Sequence, residues 1–584
     1  MEKKVETSES AFLAAFGMPG DCSPVFTWSP LPPRRQLSFT NKEKLQHQYS
    51  EEELYPNCDV NVWLRSCEEE IIEPLEGVVK GTIPSWLQGS LLRNGPGSLK
   101  VGQEYFQHIF DSSALIHKFK IDNGKVTYQC RFLKSNVYKK NWEAKRIVVT
   151  EFGTKAVADP CHTIFDRVAA IFNPSLDQSD NAMISLYPFG DELYAFGEIP
   201  IIHKINSETL ETEKQVDISK HISIVHHTSH PHILRNGDVY NLATSMSSTG
   251  PIFNIVRFPH SESECLETTF EKAEIVAKFP SRWTFHPSYM HTFGLTDNYF
   301  IIVEQPLNLA ATAVIANKLR NEPLAGCFRW YPEEYAQINV ISRKTGTLCR
   351  KFYAESFFFL HIINQYEDSE HIVIDICIYR DPSMLDCMYV ETMKSMQHNP
   401  DYAKMFRGRP ARFVLPMYED DYKGDSTINL VKLNHIKAKA FYTSKKDILV
   451  IPERLCNLGC ETPRINYDNF LGKPYRFFYA ISSDVDAENP GTIIKVDILN
   501  KSAQKWCEEN CYPSEPIFVP SPNAELEDDG VVISAMVWGG TDVNHAGVII
   551  LDAKTFTEIA RAEFHTPGPV PKCLHGWFLN QKDG

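Results

Sequence analysis

Seven residues, HHTSHPH at 226–232, hold four histidines. Imidazole is the commonest metal ligand near neutral pH, and the same side chain also serves as a hydrogen-bonded loop or core residue. Four of the chain's 20 histidines share a setting: His230 in HTSHPHIL, His291 in PSYMHTFG, His361 in FFFLHIINQYE and His575 in CLHGWF. Each lies beside an apolar or small-residue stretch, not in a charged run. FFFLHII places His361 on a strand that buries it, and a buried neutral ring needs a partner. A metal on one nitrogen and an acceptor on the other would satisfy it. The separations of 61, 70 and 214 residues exclude a local finger-type site. Such distant residues meet where a closed, radial fold brings them to one axis; four unrelated core histidines are the alternative on spacing alone. Zinc, copper and ferrous iron all accept imidazole, so ligand type does not choose the metal.

Three glutamates interrupt otherwise apolar or turn-like segments: Glu198 in AFGEIPII, Glu461 in GCETPRINY and Glu515 in YPSEPIF. A metal-bound histidine commonly donates its second N–H to a carboxylate, which fixes its tautomer and orientation. Three carboxylates can serve three of four histidines. A surface salt bridge or a turn is the plainer account of any one of them alone.

The elements that must position these residues are strands. From about Val60 onward, short β-branched and aromatic runs alternate with turn signals: GSLLRNGPGS (89–98), NYFIIVEQPL (298–307), EHIVIDICIYR (370–380), GTIIKVDILN (491–500) and DDGVVISAMVWGG (528–540). Asn-Gly pairs at 123–124 and 236–237 fit hairpins. Helical stretches are few, chiefly 388–407. Residues 60–584 read as one all-β domain, a propeller of radial four-stranded sheets or a pair of sandwiches; no internal repeat decides between them. Residues 1–59, polar and containing LPPRR at 31–35, read as a partly disordered extension.

Composition narrows the function classes. The chain of 584 residues carries 59 basic against 74 acidic side chains, net −15, which argues against nucleic-acid binding, since that rests on neutralising phosphates. The first 20 residues lack the apolar core of a secretory signal, and no run is long enough to span a bilayer. The expectation is a cytoplasmic protein able to touch a membrane. Fifteen cysteines, an odd number in a large chain, point to reduced thiols. Cys456/Cys460 and Cys507/Cys511 fall within the loose spacing range of zinc sites, or are buried thiols. Two stretches have an apolar face suited to a membrane surface or to packing on the domain. One is 161–178, with Ile164, Phe165, Val168, Ala169 and Phe172; the other is 306–324, ended by Lys318 and Arg320.

Taken together, these motifs resemble the carotenoid cleavage oxygenase family over nearly all of the chain beyond the extension. The match runs through RNGPG (93–97), EFGT (151–154), ADPC (158–161), HTSHPH (227–232), PSYMHTFGLTDNYF (287–300), HIINQYE (361–367), PRINY (463–467), GKPY (472–475), YPSEPIFV (512–519), EDDGVV (527–532) and LHG (574–576). The resemblance implies an all-β, seven-bladed β-propeller with a cap of helices and loops over a ferrous ion on its axis. By the same resemblance His230, His291, His361 and His575 are the metal ligands, through which catalysis runs. Glu198, Glu461 and Glu515 are their carboxylate partners, and His226, His227 and His232 are loop or packing residues. Phe152, Tyr289 and Tyr379 match positions lining an apolar substrate tunnel, and the two amphipathic stretches match a membrane patch around its mouth. Fe(II) is the implied cofactor and O2 the co-substrate.

The residues around these motifs are most similar to the animal branch and, within it, to insect isomerooxygenases. That similarity implies central 15,15′ cleavage of β-carotene, zeaxanthin or lutein, with isomerisation giving 11-cis-retinal plus all-trans-retinal, or their 3-hydroxy forms. Eccentric 9′,10′ cleavage and retinyl-ester isomerohydrolysis are the alternatives within the family, and a non-catalytic carotenoid-binding propeller is the alternative outside it. One departure is FDSSALIHKF at 110–119, where the family often has FDG; that region is structural in the family.

Overall fold

In the computed structural model the chain is a seven-bladed β-propeller. The structure describes residues 53–156, 179–260, 267–418, 426–482 and 484–581; the stretch 161–178, including Cys161, and residues 1–52 of the extension lie outside them. Residues Tyr55 and Cys58 are buried against Met396 and Tyr402.

The runs read as strands form strands. GSLLRNGPGS is the strand Gly89–Ser98, and DDGVVISAMVWGG contains Gly530–Trp538. The hairpin between Ser113–Asp122 and Lys125–Phe132 turns on Asn123 and Gly124, at φ 50° and 76°. This left-handed pair matches the twist of the flanking strands. Around the ring, the strands nearest the axis are His575–Asn580, Ser185–Phe189, the broken pair His226–His227 and His232–Ile233, Gly294–Leu295, Phe358–Asp368, Glu461–Arg464, and the broken pair Cys511–Pro513 and Ile517–Pro520. The ring closes where His575–Asn580 pairs antiparallel with Gly89–Ser98, from Asn94 opposite His575 to Gly89 opposite Asn580. Closure leaves no open edge at this seam.

Neighbouring blades pack through apolar faces. Between the blades that start at Gly294 and Phe358, Ile301, Val303, Ile338, Phe352, Phe359 and Ile374 are wholly buried. Each contributes about 1.5–3 kcal/mol by burial. Above the axis lie the short helices Val390–Lys394 and Tyr402–Met405, within 388–407 where helix was expected, together with Ser383–Cys387 and the longer Asn136–Ala144 and Ala311–Arg320, which the sequence did not single out as helices. Ser135 caps Asn136–Ala144 by accepting from the Tyr138 N–H at 3.0 Å, worth about 1 kcal/mol. Of the 306–324 stretch only Ala311–Arg320 is α-helical; Leu307–Leu309 pairs with Phe328–Trp330, and Leu324 begins a 3-10 turn. The departure at 110–119 is mostly a strand, although Phe110 faces the cavity under the cap.

Candidate metal centre

The functional side chains sit where the inner strands are interrupted. The strand carrying His230 breaks between His227 and His232. His291 precedes Gly294–Leu295 in a loop. The pairing of Phe358–Asp368 with its neighbour slips between Phe359 and Ile362, and His361 falls in that irregularity. Such slips re-aim a side chain that regular pleating would turn elsewhere. A second slip lies between Glu461 and Arg464, where Thr462 holds a left-handed φ of 47°. Glu515 sits in the break between Pro513 and Ile517.

These interruptions bring the four histidines together. Ring centres of His230 and His361 are 5.0 Å apart, and His291 and His575 flank that pair at 4.6–5.1 Å. Ring nitrogens of His230, His361 and His575 lie within 4.8 Å of one another, the one such metal-competent group among the described residues. His291 joins through its Nε2, 3.0 Å from His230 Nε2. The four rings therefore make a cluster in which His291 and His575 are farthest apart.

Each of three rings hands its other nitrogen to a carboxylate. His291 Nδ1 donates to Glu198 Oε1 at 2.7 Å, His361 Nδ1 to Glu461 Oε2 at 2.6 Å and His575 Nδ1 to Glu515 Oε1 at 2.8 Å. This fixes the tautomer and leaves Nε2 as a lone pair aimed at the axis. His361 Nε2 is buried with no hydrogen-bond partner among the described residues. A buried ring nitrogen without a partner is costly, and together with the convergence of three more rings it fits a divalent metal held by imidazole. Burial lowers the His575 imidazole to about 4, against the opposing pull of Glu515, and holds His230 well below its ordinary value. Both rings are thus neutral at physiological pH, as ligands must be.

The carboxylates differ in their surroundings. Burial raises Glu515, but Arg464, His575 and Arg93 outweigh it and hold the carboxyl well below its usual range. Arg464 Nε donates to Oε1 at 2.8 Å, Arg93 Nη1 to Oε2 at 3.0 Å and the Gly576 N–H to Oε2 at 2.9 Å. Among the described residues Glu461 has no arginine partner; it accepts from Tyr379 Oη at 3.0 Å and from the Thr462 N–H at 2.8 Å. Tyr289 Oη donates to Glu198 Oε1 at 2.7 Å, and His226 Nε2 lies 3.9 Å from Glu198 Oε2. Burial raises both tyrosines well above their ordinary value, so both remain protonated donors.

A cavity of about 1720 Å3 opens onto this cluster, larger than the ~300–1,000 Å3 of common ligand pockets. Phe152, Tyr289 and Tyr379 line it, with Phe328, Leu360 and Phe406. At one end Val314, Ile315 and Leu319 of the helix Ala311–Arg320 line it too.

Of HHTSHPH, only His230 joins the cluster. His227 is held at the Thr228 carbonyl, and His232 lies between the Phe293 carbonyl and Tyr467 Oη. Sequence reasoning missed Arg93 and Arg464, which stand in the motifs RNGPG and PRINY, and Tyr187, whose Oη lies 3.4 Å from His230 Nδ1. It also read Tyr289 and Tyr379 as wall residues without seeing that their hydroxyls reach the carboxylates. The paired-spacing cysteines have separate partners: Cys460 Sγ lies 3.4 Å from Cys377 Sγ, and Cys511 Sγ is 3.8 Å from Met536 Sδ.

Comparison with known proteins accords with this geometry. The family profile described as retinal pigment epithelial membrane protein matches residues 64–580. The chain is 54% identical to the carotenoid isomerooxygenase of Galleria mellonella over 91% of its own length and 99% of that protein. It is 50% identical to the carotenoid isomerooxygenase of Drosophila melanogaster over 90% and 94%. To the β,β-carotene 15,15′-dioxygenase of Gallus gallus it is 38% identical over 88% and 97%. Among solved structures, the cobalt-substituted apocarotenoid oxygenase of Synechocystis shares the fold at a TM-score of 0.70 and 22% identity, over 89% of this chain and 99% of that one. The chain belongs to the retinal pigment epithelial membrane protein family, the carotenoid oxygenases.

Proposed function

We propose that this chain is a non-haem iron(II) dioxygenase that cleaves carotenoids at the central 15,15′ double bond and isomerises one half to the cis form. The observation that carries the reading is the cluster of four histidines, three of them backed by carboxylates, at a large cavity with a mostly apolar lining. The isomerisation rests on the likeness to the two insect proteins named carotenoid isomerooxygenase.

His230, His291, His361 and His575 would hold the metal, and Glu198, Glu461 and Glu515 keep three of the rings aimed. When bound, iron(II) supplies the activation of O2, so that both oxygen atoms enter the broken bond and two aldehydes leave. The protein's own share is position and dryness. The aromatic faces of Phe152, Tyr289 and Tyr379 suit a flat, extended polyene. Because both new oxygens come from O2, no side chain is needed as a general acid or base. β-Carotene, zeaxanthin and lutein are the substrates this cavity is expected to take.

Such substrates dissolve in bilayers. Ile315, Leu319 and Leu324 are exposed beside the cavity lining, with Lys318 and Arg320 at the same end. This patch supports peripheral binding at the cytoplasmic face of a membrane. No helix among the described residues is long and apolar enough to cross a membrane. Replacing Ile315 and Leu319 with serine is expected to reduce flotation with liposomes while leaving bound iron unchanged; undiminished flotation would discard the patch. For the chemistry, chelation should abolish oxygen-dependent cleavage, and iron(II) but not zinc should restore it. Full activity in the metal-free protein would overturn the reading.

A further inference from the structure

A lysine shares the cavity with the metal cluster. Lys572 lies in the connection between the strand Thr557–His565 and the closing strand His575–Asn580, three residues before His575. Extended chain covers at most about 3.6 Å per residue, so the two α-carbons are no more than ~11 Å apart. Its side chain lines the cavity beside Pro513 and Cys573.

The surroundings of this amine are unusual for a lysine. Its Nζ donates to the Pro513 carbonyl and, at 3.3 Å, to Ser514 Oγ. Among the described residues it forms no ion pair with a carboxylate. Two acceptors and no anion satisfy a neutral amine as well as an ammonium: both N–H groups are used and the lone pair is left free. Burial lowers the Lys572 ammonium to about 8, with Arg93 adding to the effect and Cys573 opposing it. A useful fraction of the nucleophilic form is therefore present near neutral pH.

We infer that Lys572 is a capture site for a polyene aldehyde, which it holds as a reversible imine. This rests on the proposed function, because cleavage would release aldehydes into the same cavity. The Nζ lone pair attacks the aldehyde carbon and forms the C–N bond. The nitrogen gives up its two protons, the carbonyl oxygen takes up two and leaves as water, and C=N remains. No oxidant or reductant is required, and hydrolysis returns the aldehyde and the amine. The apolar walls favour the step that expels water. Such a hold would keep a reactive aldehyde off the surface lysines until release.

The test uses the full chain loaded with iron(II) and given all-trans-retinal, followed by borohydride to reduce any imine, proteolysis and peptide mass spectrometry. The expected result is a retinyl group on the peptide containing Lys572, with that adduct lost in Lys572→Met and in Lys572→Arg, which keeps the charge. Circular dichroism and iron content establish that each variant is folded. Adducts confined to surface lysines, or labelling of Lys572 no faster than in urea-unfolded protein, would overturn the inference. Carotenoid turnover is measured on the same preparation. Cleavage without an adduct would leave the proposed function standing and remove the capture site, and an adduct without cleavage would do the reverse.

Discussion

Glu515 and Glu461 have the same chemistry and the same kind of histidine partner, yet replacing each with glutamine should have different consequences. All four groups around Glu515 are donors: His575 Nδ1, Arg464 Nε, Arg93 Nη1 and the Gly576 N–H. Glutamine keeps one acceptor oxygen and presents an NH2 to the remaining donors. It also leaves two arginines, with side chains 0% and 14% exposed, without their counter-charge. Removing one partner of a buried ion pair costs about 3–5 kcal/mol. Glu461 meets a histidine, a tyrosine hydroxyl and one backbone N–H, with no arginine. Losing hydrogen bonds to a charged group there costs about 1.5–3 kcal/mol.

The difference should be concentrated at the closing seam, because Arg464 also holds the Gly576 carbonyl and Arg93 the Leu574 carbonyl. Hydrogen exchange of metal-free protein reads this without interference from metal binding. In Glu515→Gln the Gly576 amide should exchange faster by roughly two to three and a half orders of magnitude, at ~1.4 kcal/mol per tenfold. In Glu461→Gln exchange at 575–580 should stay near wild type. Equal loosening of the seam in both variants would refute the argument that the arginines make Glu515 structural as well as orienting.

Other outcomes follow from the same geometry. His361→Ala should lose both bound iron and activity while the metal-free protein remains folded, since it removes an imidazole whose Nε2 has no protein partner; an iron-replete, active variant would refute the ligand assignment. Gly408→Ala should lower activity more than stability. A Cβ there would sit 2.9 Å from the Cys460 carbonyl and 3.0 Å from Tyr379 Cζ, pushing the hydroxyl that Glu461 accepts; parallel loss of urea midpoint and turnover would count against this. Acid should destabilise the fold as pH falls from about 6.5 towards 4. Burial lowers His108, His117, His227 and His232 to about 4, 3, 4 and 4, so in this window the unfolded chain binds protons that the native one refuses. Asp111, Glu151, Glu304, Asp386, Asp468 and Glu527, raised by burial, oppose this, but burial also lowers His203, His230, His286, His291, His545 and His575, so the histidines are the larger set. A urea midpoint as high at pH 5 as at pH 7 would contradict the sign.

The sequence made the strands legible because their cues are local. FFFLHII announces a buried strand wherever it folds, and Asn123-Gly124 announces its hairpin. What it hid depends on register and closure. The slip at His361 is decided by pairing with His371–Tyr379, not by any residue near His361. Arg93 meets Glu515 across 422 positions, a contact that exists only once the ring has shut. The choice between propeller and sandwiches was likewise open to local pattern, since both use the same strands, and only the family resemblance decided it before the structure. The histidines could be singled out by setting, but their convergence could not be read from separations of 61, 70 and 214 residues. The segment 306–324, read as one stretch with an apolar face, divides in the structure: Leu307–Leu309 goes to a two-stranded sheet and only Ala311–Arg320 forms the α-helix.

The central claim is that these four histidines serve oxygen-dependent cleavage of a carotenoid at its middle. The most direct measurement is anaerobic reconstitution with iron(II), addition of β-carotene or zeaxanthin, admission of air, and chromatographic resolution of the product isomers. Two C20 aldehydes, one of them 11-cis, are the predicted result. Fragments of unequal length, or no product that depends on oxygen, would contradict it.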